Sequence, residues 1–292
     1  MFRLVWQLIK TTISIFSEAH ASRMSAAMTY FTMLSLAPLL MIAIAIAGFV
    51  FDDQLAEQQI IEQAELFTTP EIARTIGGLI HNATRPGAGL VASSLSLVVV
   101  AYAASGVFAQ LHDTLNDIWQ VPSSDRKGIK YTIQRRLFGF VMVILAAILL
   151  LSSLVFSAVL SSIQAYLAEY HPHWITWLNL LDRGLAYLVL PLVLSFVYWL
   201  VPSTKIRWWD VVPASMLTGL LISGGRMLIE LYLKFSSTSQ VYGAAGSLVV
   251  LLVWVYITGL FVFFGAAFSR AWAEVLGSRS TEPSPDNSHE DI

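Results

Sequence analysis

The sequence predicts an all-α polytopic membrane protein with about six transmembrane helices. Of its 292 residues, 56% are hydrophobic and only 12% are charged, whereas soluble domains carry roughly 25% charged residues. The mean hydropathy is +0.68. The apolar residues form long continuous runs, and about 20 such residues in a helix cross the bilayer core. Because hydrocarbon offers no partner to backbone polar groups, these runs are expected to be helices.

Residues 1–29 predict an amphipathic helix that lies on the membrane surface rather than crossing it. Arg3, Lys10 and Glu18 interrupt the run, and a cleaved signal peptide fits poorly because Gln7, Lys10 and Thr11 break the apolar core that it needs. The apolar residues recur at helical spacing, at Phe2, Val5, Trp6, Ile9, Ile13 and Phe16.

A transmembrane domain of six helices is predicted over residues 30–272. The predicted spans cover about residues 30–51, 87–110, 137–162, 184–201, 211–233 and 245–268. Residues 277–292 are polar, contain Pro283 and Pro285, and are expected to form a disordered cytoplasmic tail.

The positive charges of the loops predict the orientation. The amino-terminal arm, loops two and four, and the carboxyl-terminal end carry twelve Lys and Arg residues, whereas the other side has only Arg74, Arg85 and Lys234. Six spans place those four segments on one side. Because positive loops stay inside, both termini are predicted to lie in the cytoplasm.

The loop at residues 52–86 is expected outside and is acidic. Thr69-Pro70-Glu71 has the residues that begin a helix, namely a capping hydroxyl, a first-turn proline and an early carboxylate. A short amphipathic helix is therefore predicted to cap the outer surface, with its apolar face formed by Ile72, Ile76, Leu79 and Ile80.

Charges inside the predicted spans are the first candidates for a site, because burying a charge in lipid is costly. Arg226 and Glu230 stand four residues apart on one helix face. Asp182 and Arg183 begin span four on the same outer side, so the four residues form a candidate substrate or gating cluster. The alternative is that Arg226 and Glu230 only neutralise each other or reach the outer interface. Small or polar residues extend their face upstream, at Ser215, Gly219 and Ser223.

The last span has features of close helix packing. Its small residues let another backbone approach, and an aromatic residue in the middle of a span is expected to be buried. The members of this packing motif are Tyr242, Gly243, Gly246, Trp254, Tyr256 and Gly265.

Pro38 and Pro191 stand in similar sequences on oppositely directed spans, which predicts two ordinary kinks or, alternatively, an inverted repeat.

Other polar groups are interpreted as structural. Four polar residues follow span two and are predicted to be the solvated face of a cytoplasmic helix extension, namely His112, Asp113, Asn116 and Asp117.

The chain has no cysteine, so disulfides, thiolate catalysis and Cys-type metal sites are excluded. No catalytic motif is recognised, and no metal or cofactor is expected. The net charge of −2 provides no basic field for nucleic acid.

Four segments have a distinctive order of residues, at 26–40, 115–119 continuing to 135–137, 198–202, and 242–266. On these residues the chain resembles the YihY/BrkB family of bacterial inner-membrane proteins, once labelled ribonuclease BN. The usual family form of the last segment is Tyr-Gly-Ala-Leu-Gly, where this chain has Ala245. Family members often have Glu where Ala267 stands.

The resemblance implies six helices and residence in the inner membrane. The ribonuclease label is generally regarded as mistaken, and the short cytoplasmic loops offer no catalytic domain, so an enzyme is not expected. Two hypotheses remain open. The first is a transport-type protein that moves a lipid or small amphipathic molecule; the second is a non-transporting scaffold that binds partner proteins or supports the envelope. The lipid bilayer is a partner in both.

Overall fold

The computed structural model describes residues 2–47, 68–83, 106–122, 190–235 and 246–278, with short stretches and single positions between 58 and 65 and between 128 and 188. Regular secondary structure in this part of the chain is entirely helical, which confirms the predicted all-α class. The helices are α1 (Phe2–Glu18), α2 (Ala21–Ala47), α3 (Pro70–Ala83), α4 (106–118), α5 (Leu190–Leu200), α6 (Trp208–Phe235) and α7 (Gly246–Val275).

The central helix is α7, which packs against α6, α1, α2 and α3. Its apolar run is uncharged as far as Arg270, and small residues on its buried side let neighbouring helices approach closely. Trp254 and Phe263 are buried in the core together with Ala266, Ala267 and Ala271.

Two of the described helices are long and apolar enough to cross a membrane, over Trp208–Tyr232 and Leu248–Val275. A shorter apolar helix covers Leu190–Leu200. Leu220 and Met227 on α6 are each 73% exposed, which is the arrangement expected of side chains that face lipid. Predicted spans 87–110 and 137–162 lie mostly outside the described residues, so the count of six spans stays a prediction.

The amino-terminal segment differs from the single helix predicted over residues 1–29. α1 ends at Glu18, and α2 begins at Ala21 and continues through Pro38 as far as Ala47. His20 causes the break, because its φ of 48° is incompatible with a continuing right-handed helix. Ser17 O accepts the N–H of His20 at 3.0 Å and closes the turn.

α1 has one face on the protein and another exposed. Leu8, Thr12 and Ile15 are buried, and α1 packs chiefly against α7. Of the predicted apolar stripe, four residues are exposed outside this contact, at Val5, Trp6, Ile9 and Ile13, whereas Phe16 makes an edge contact with Phe264 of α7 at a ring-centroid distance of 5.9 Å. The helix therefore binds the core through one face and leaves an adjacent apolar face available to lipid.

The helix predicted to begin at Pro70 is present as α3, and its outer location stays a prediction. The Thr69 hydroxyl accepts the backbone N–H of Ile72 at 3.4 Å, and Pro70 occupies the first position. Ile72 and Ile76 are buried, and α3 packs against α2 and α7. Ile72 and Ile76 of the predicted face thus fix this helix to the core, and the side chains of Leu79 and Ile80 lie outside the described part of the chain.

Candidate functional site

Four chain segments meet at one end of the molecule, which we call the polar end: the end of α4, the turn at 201–207, the start of α6 and the end of α7. Arg270 Nη1 donates a hydrogen bond to Ile118 O at 2.7 Å. Ser269 Oγ donates to Asp210 O at 3.0 Å, and the Asp210 carboxylate accepts the Ser278 N–H at 3.3 Å. These contacts bring together loop two, loop four and the carboxyl-terminal end of the chain. The predicted six-span topology requires these segments on the same side of the membrane.

The contacts of Asp210 also revise the predicted tail. Residues 277–292 were predicted to be disordered, yet both the backbone N–H and the hydroxyl of Ser278 donate to Asp210. A carboxylate in the first turn of a helix is stabilised there and still accepts further hydrogen bonds. The start of the tail is therefore held against α6, and residues 279–292 lie outside the described part of the chain.

Asn116 joins α4 to the turn at 201–207. Its Oδ1 accepts the Ser203 N–H at 2.7 Å, and its Nδ2 lies 3.2 Å from His112 Nδ1. Both His112 and Asn116 are buried, so the predicted solvated face is wrong for these two residues. The turn that covers them comes from a segment 87 residues away, and the helical spacing of α4 contains no sign of it.

A cavity of about 440 Å³ lies at the polar end, between the end of α1, the start of α2, the end of α4 and α7. Its lining combines apolar and charged side chains. The apolar ones include Ile15, Met24 and Val121, and the charged ones are Glu18, Asp117 and Arg270. A concave site with a few convergent polar groups on an apolar background is typical of small-molecule binding.

Arg270 is the most deeply placed charge of this cavity, at 9% exposed. Its Nε donates to Glu274 Oε1 at 2.6 Å and its Nη1 donates to Ile118 O. Sequence reasoning treated Arg270 only as a cytoplasmic charge. The signal that it missed is the Arg270–Glu274 pair, four residues apart on the helix that carries the last apolar run.

Two of the four residues predicted to form the charged cluster lie on the half of α6 away from the polar end, where they form an ion pair. Arg226 Nε donates to Glu230 Oε1 at 3.1 Å, and both side chains are 35% exposed. Asp182 and Arg183 lie outside the described residues, so the four-residue cluster stays a prediction.

The predicted polar stripe on α6 divides into two parts. Ser215 is buried and shares a 2.6 Å hydrogen bond with Ser195 of α5. Gly219 faces Pro191, since a Cβ built on Gly219 would lie 2.9 Å from Pro191 Cγ. Ser223 is exposed. One part of the stripe therefore packs against α5, and the part next to Arg226 remains open.

A buried polar seam joins α5, α6 and α7. Tyr198 Oη donates to Val262 O at 2.7 Å and lies 3.0 Å from Thr218 Oγ1. Gly265 leaves the room for this contact, because a Cβ there would come within 1.8 Å of Thr218 Oγ1. Of the other members of the predicted packing motif, Gly246 begins α7, Trp254 is buried, and Tyr256 is half-buried; Tyr242 and Gly243 lie outside the described residues.

No group of three or more His, Asp or Glu side chains suited to a metal occurs within the described ranges. The exposed apolar residues of α6 and α7 are typical of an α-helical membrane protein.

The chain belongs to the Virulence factor BrkB family, whose model matches residues 12–290. This confirms the resemblance stated from the sequence.

Relatives described as UPF0761 membrane proteins include one from Verminephrobacter eiseniae, which is 27% identical over 94% of this chain. One from Kangiella koreensis is 24% identical over 89% of the chain. The chain spans 64% of the length of each of these two relatives. A third, from Mannheimia succiniciproducens, is 24% identical over 94% of both chains. Their names state no enzymatic activity, and no solved structure matches this chain.

Proposed function

We propose that this chain is a six-span inner-membrane protein of transport type, which moves a lipid or another small amphipathic molecule. The observation that supports transport is the Arg226–Glu230 pair, two charges on an apolar helix whose side chains are each 35% exposed. By helical rise, Arg226 lies about 22 Å along the span from Val211, in its outer half. Asp182 and Arg183, which begin predicted span four, are proposed to complete the site.

A cost argument favours a functional role for this pair. A charged side chain near the centre of a transmembrane helix costs about 2.5–3.5 kcal/mol on insertion scales, and the cost falls when it faces a polar route. An ion pair is also a weak source of stability, because apolar residues of similar size often replace such pairs without loss. Arg226 and Glu230 are therefore better explained by what they contact during transport than by helix stability.

The orientation with both termini in the cytoplasm is supported by the aromatic residues around the start of α6. Trp208 makes edge contacts with Phe196 and Trp199, at ring-centroid distances of 5.1 and 5.7 Å. Trp209 is exposed beside them. Tryptophan is enriched where the bilayer meets water, and Lys205 and Arg207 immediately precede this group. A positive, aromatic boundary is typical of the cytoplasmic interface.

Purified protein in vesicles tests transport directly, with fluorescent lipids and small amphipathic solutes as cargo. Arg226→Ala is expected to slow movement by about tenfold or more, the usual consequence of losing a charged contact. Arg74→Ala is the matched control, because Arg74 is an exposed arginine that also pairs with a nearby glutamate but lies on α3.

A charge swap separates function from structure at this pair. Arg226→Glu combined with Glu230→Arg keeps an ion pair on the helix but exchanges the positions of the charges. Transport should stay impaired in this variant if the two groups contact cargo. Full transport in the swapped protein, or no movement of any cargo in a broad panel, would contradict the proposal.

The scaffold is the second candidate, and α3 is the observation that favours it. Ile72 and Ile76 fix this helix to the core while Glu71 and Arg74 remain exposed, so it presents a preformed polar surface. Crosslinking in cells separates the two candidates. Stable protein partners that disappear on deleting residues 52–86, with Arg226→Ala harmless, would favour the scaffold.

A further inference from the structure

We propose that the cavity at the polar end binds a phosphoethanolamine group, with Arg270 taking the phosphate and Glu18 and Asp117 taking the primary ammonium. This site is distinct from the Arg226–Glu230 pair on the far half of α6. Binding here does not require that the protein transports anything, so the two proposals can fail separately.

The charges that line the cavity come from three different helical segments. Arg270 belongs to α7, Glu18 ends α1, and Asp117 lies near the end of α4. A simple anion in this space would meet two carboxylates, and a simple cation would meet the guanidinium. A zwitterion offers an opposite charge both to the guanidinium and to the carboxylates, which is the arrangement that electrostatic complementarity favours.

The phosphate side is assigned from the geometry of Arg270. In the part of the chain that the structure describes, its Nε and Nη1 are engaged by Glu274 and Ile118 O, and its Nη2 makes no hydrogen bond. Because the two engaged nitrogens fix the plane of the guanidinium, the remaining N–H groups are held in place at the cavity. A preorganised arginine is well suited to a phosphate oxygen.

The ammonium side is assigned from the two carboxylates. Glu18 is exposed and accepts one hydrogen bond, from Ser14 Oγ at 2.7 Å, which leaves further acceptor capacity on its oxygens. Asp117 is half-buried and lines the same cavity. A primary ammonium has three N–H donors and can bond to both carboxylates, whereas a quaternary ammonium has none.

The position of the cavity explains why the ligand should be amphipathic. Its volume of about 440 Å³ is typical of small-molecule sites, and Ile15, Met24 and Val121 give it apolar walls. The helix that lines it, α1, also carries an exposed apolar face that includes Ile13. A helix of this kind lies at the depth of lipid headgroups, so a lipid headgroup can reach the cavity from the bilayer.

Binding is tested with the full-length protein in detergent, by native mass spectrometry after adding equimolar phosphatidylethanolamine, phosphatidylcholine and phosphatidylglycerol. Phosphatidylethanolamine should be retained about tenfold more than either competitor. Glu18→Gln and Asp117→Asn should each lower its affinity by about tenfold without lowering that of phosphatidylglycerol. Arg74→Gln and Glu71→Gln, at an exposed pair on α3, should change nothing.

The source of the ligand is decided by competition with soluble glycerophosphoethanolamine. Displacement of the lipid shows that the headgroup alone is recognised, and retention shows that the acyl chains contribute; both results support the site. Equal retention of phosphatidylglycerol would mean a simple anion site and would overturn the proposal. Unchanged phosphatidylethanolamine affinity in both Glu18→Gln and Asp117→Asn would also overturn it.

Arg270→Gln is a supplementary variant, which is expected to weaken the binding of every phospholipid. Because Arg270 also holds Ile118 O, this substitution can impair folding, and the two carboxylate variants then decide the question. Loss of transport in Arg226→Ala with phosphatidylethanolamine binding intact would show that the two sites act independently.

Discussion

At the scale of single residues, Gly265 determines how closely α7 can approach α6. An added Cβ would lie 1.8 Å from Thr218 Oγ1 and 2.7 Å from Tyr198 Oη. Thr218 cannot turn away without cost, because its hydroxyl is bonded to Ala214 O at 2.8 Å. Gly265→Ala should therefore destabilise the protein by about 1–3 kcal/mol, the usual cost of overpacking, and lower the melting temperature measured in detergent.

Gly224→Ala is the matched control for that measurement. Gly224 lies on α6 with no atom within 4 Å of a built Cβ. The same chemical change there should leave stability unchanged or raise it by up to about 1 kcal/mol through helix propensity. If both variants melt at the same temperature as the parent, the prediction that α6 and α7 pack closely at Gly265 is contradicted.

The buried amide of Asn116 gives a second prediction for a single residue. Asn116→Ala removes the acceptor for the Ser203 N–H and should cost about 1–3 kcal/mol, since a buried donor is left without its partner. Ser203→Ala keeps that backbone hydrogen bond and should cost less. Thermal unfolding of the two variants, followed by tryptophan fluorescence, gives the comparison; a larger loss in Ser203→Ala would count against this role of Asn116.

At the scale of elements, α1 is expected to lie in the membrane interface with its exposed apolar face in lipid. The chain has no cysteine, so single nitroxide labels can be placed at chosen positions. Labels at Ile9 and Ile13 should be more accessible to oxygen, which concentrates in lipid. Labels at Arg3 and Lys10 should be more accessible to a water-soluble nickel complex. Equal access to nickel at all four positions would place α1 in water.

The helices themselves follow from local signals, but their ends often do not. Thr69 and Pro70 predict the start of α3 because capping involves neighbouring residues only. The break at His20 and the anchored Ser278 had no such signal. Ser278 is held by Asp210, 68 residues away, and periodicity contains no information about contacts at that separation.

At the scale of the whole molecule, the polar end and α3 are expected on opposite sides of the membrane. Lys205→Cys and Arg74→Cys place single thiols at exposed positions on the two sides. A membrane-impermeant maleimide applied to spheroplasts should label Arg74→Cys only, and detergent should make Lys205→Cys react as well. Labelling of both thiols before detergent treatment would contradict the six-span topology.

The sequence alone determined the helical class, the amphipathic character of α1 but not its end, the helix that begins at Pro70, and the shared helix face of Arg226 and Glu230. Each of these depends on composition or on residues within about one or two helical turns, where spacing defines geometry. The tertiary structure alone decided that Asn116 is buried under the turn at Ser203. It also decided that Glu18, Asp117 and Arg270 surround one cavity. Those groupings join distant segments, and only the packing of α7 against the other helices brings them together.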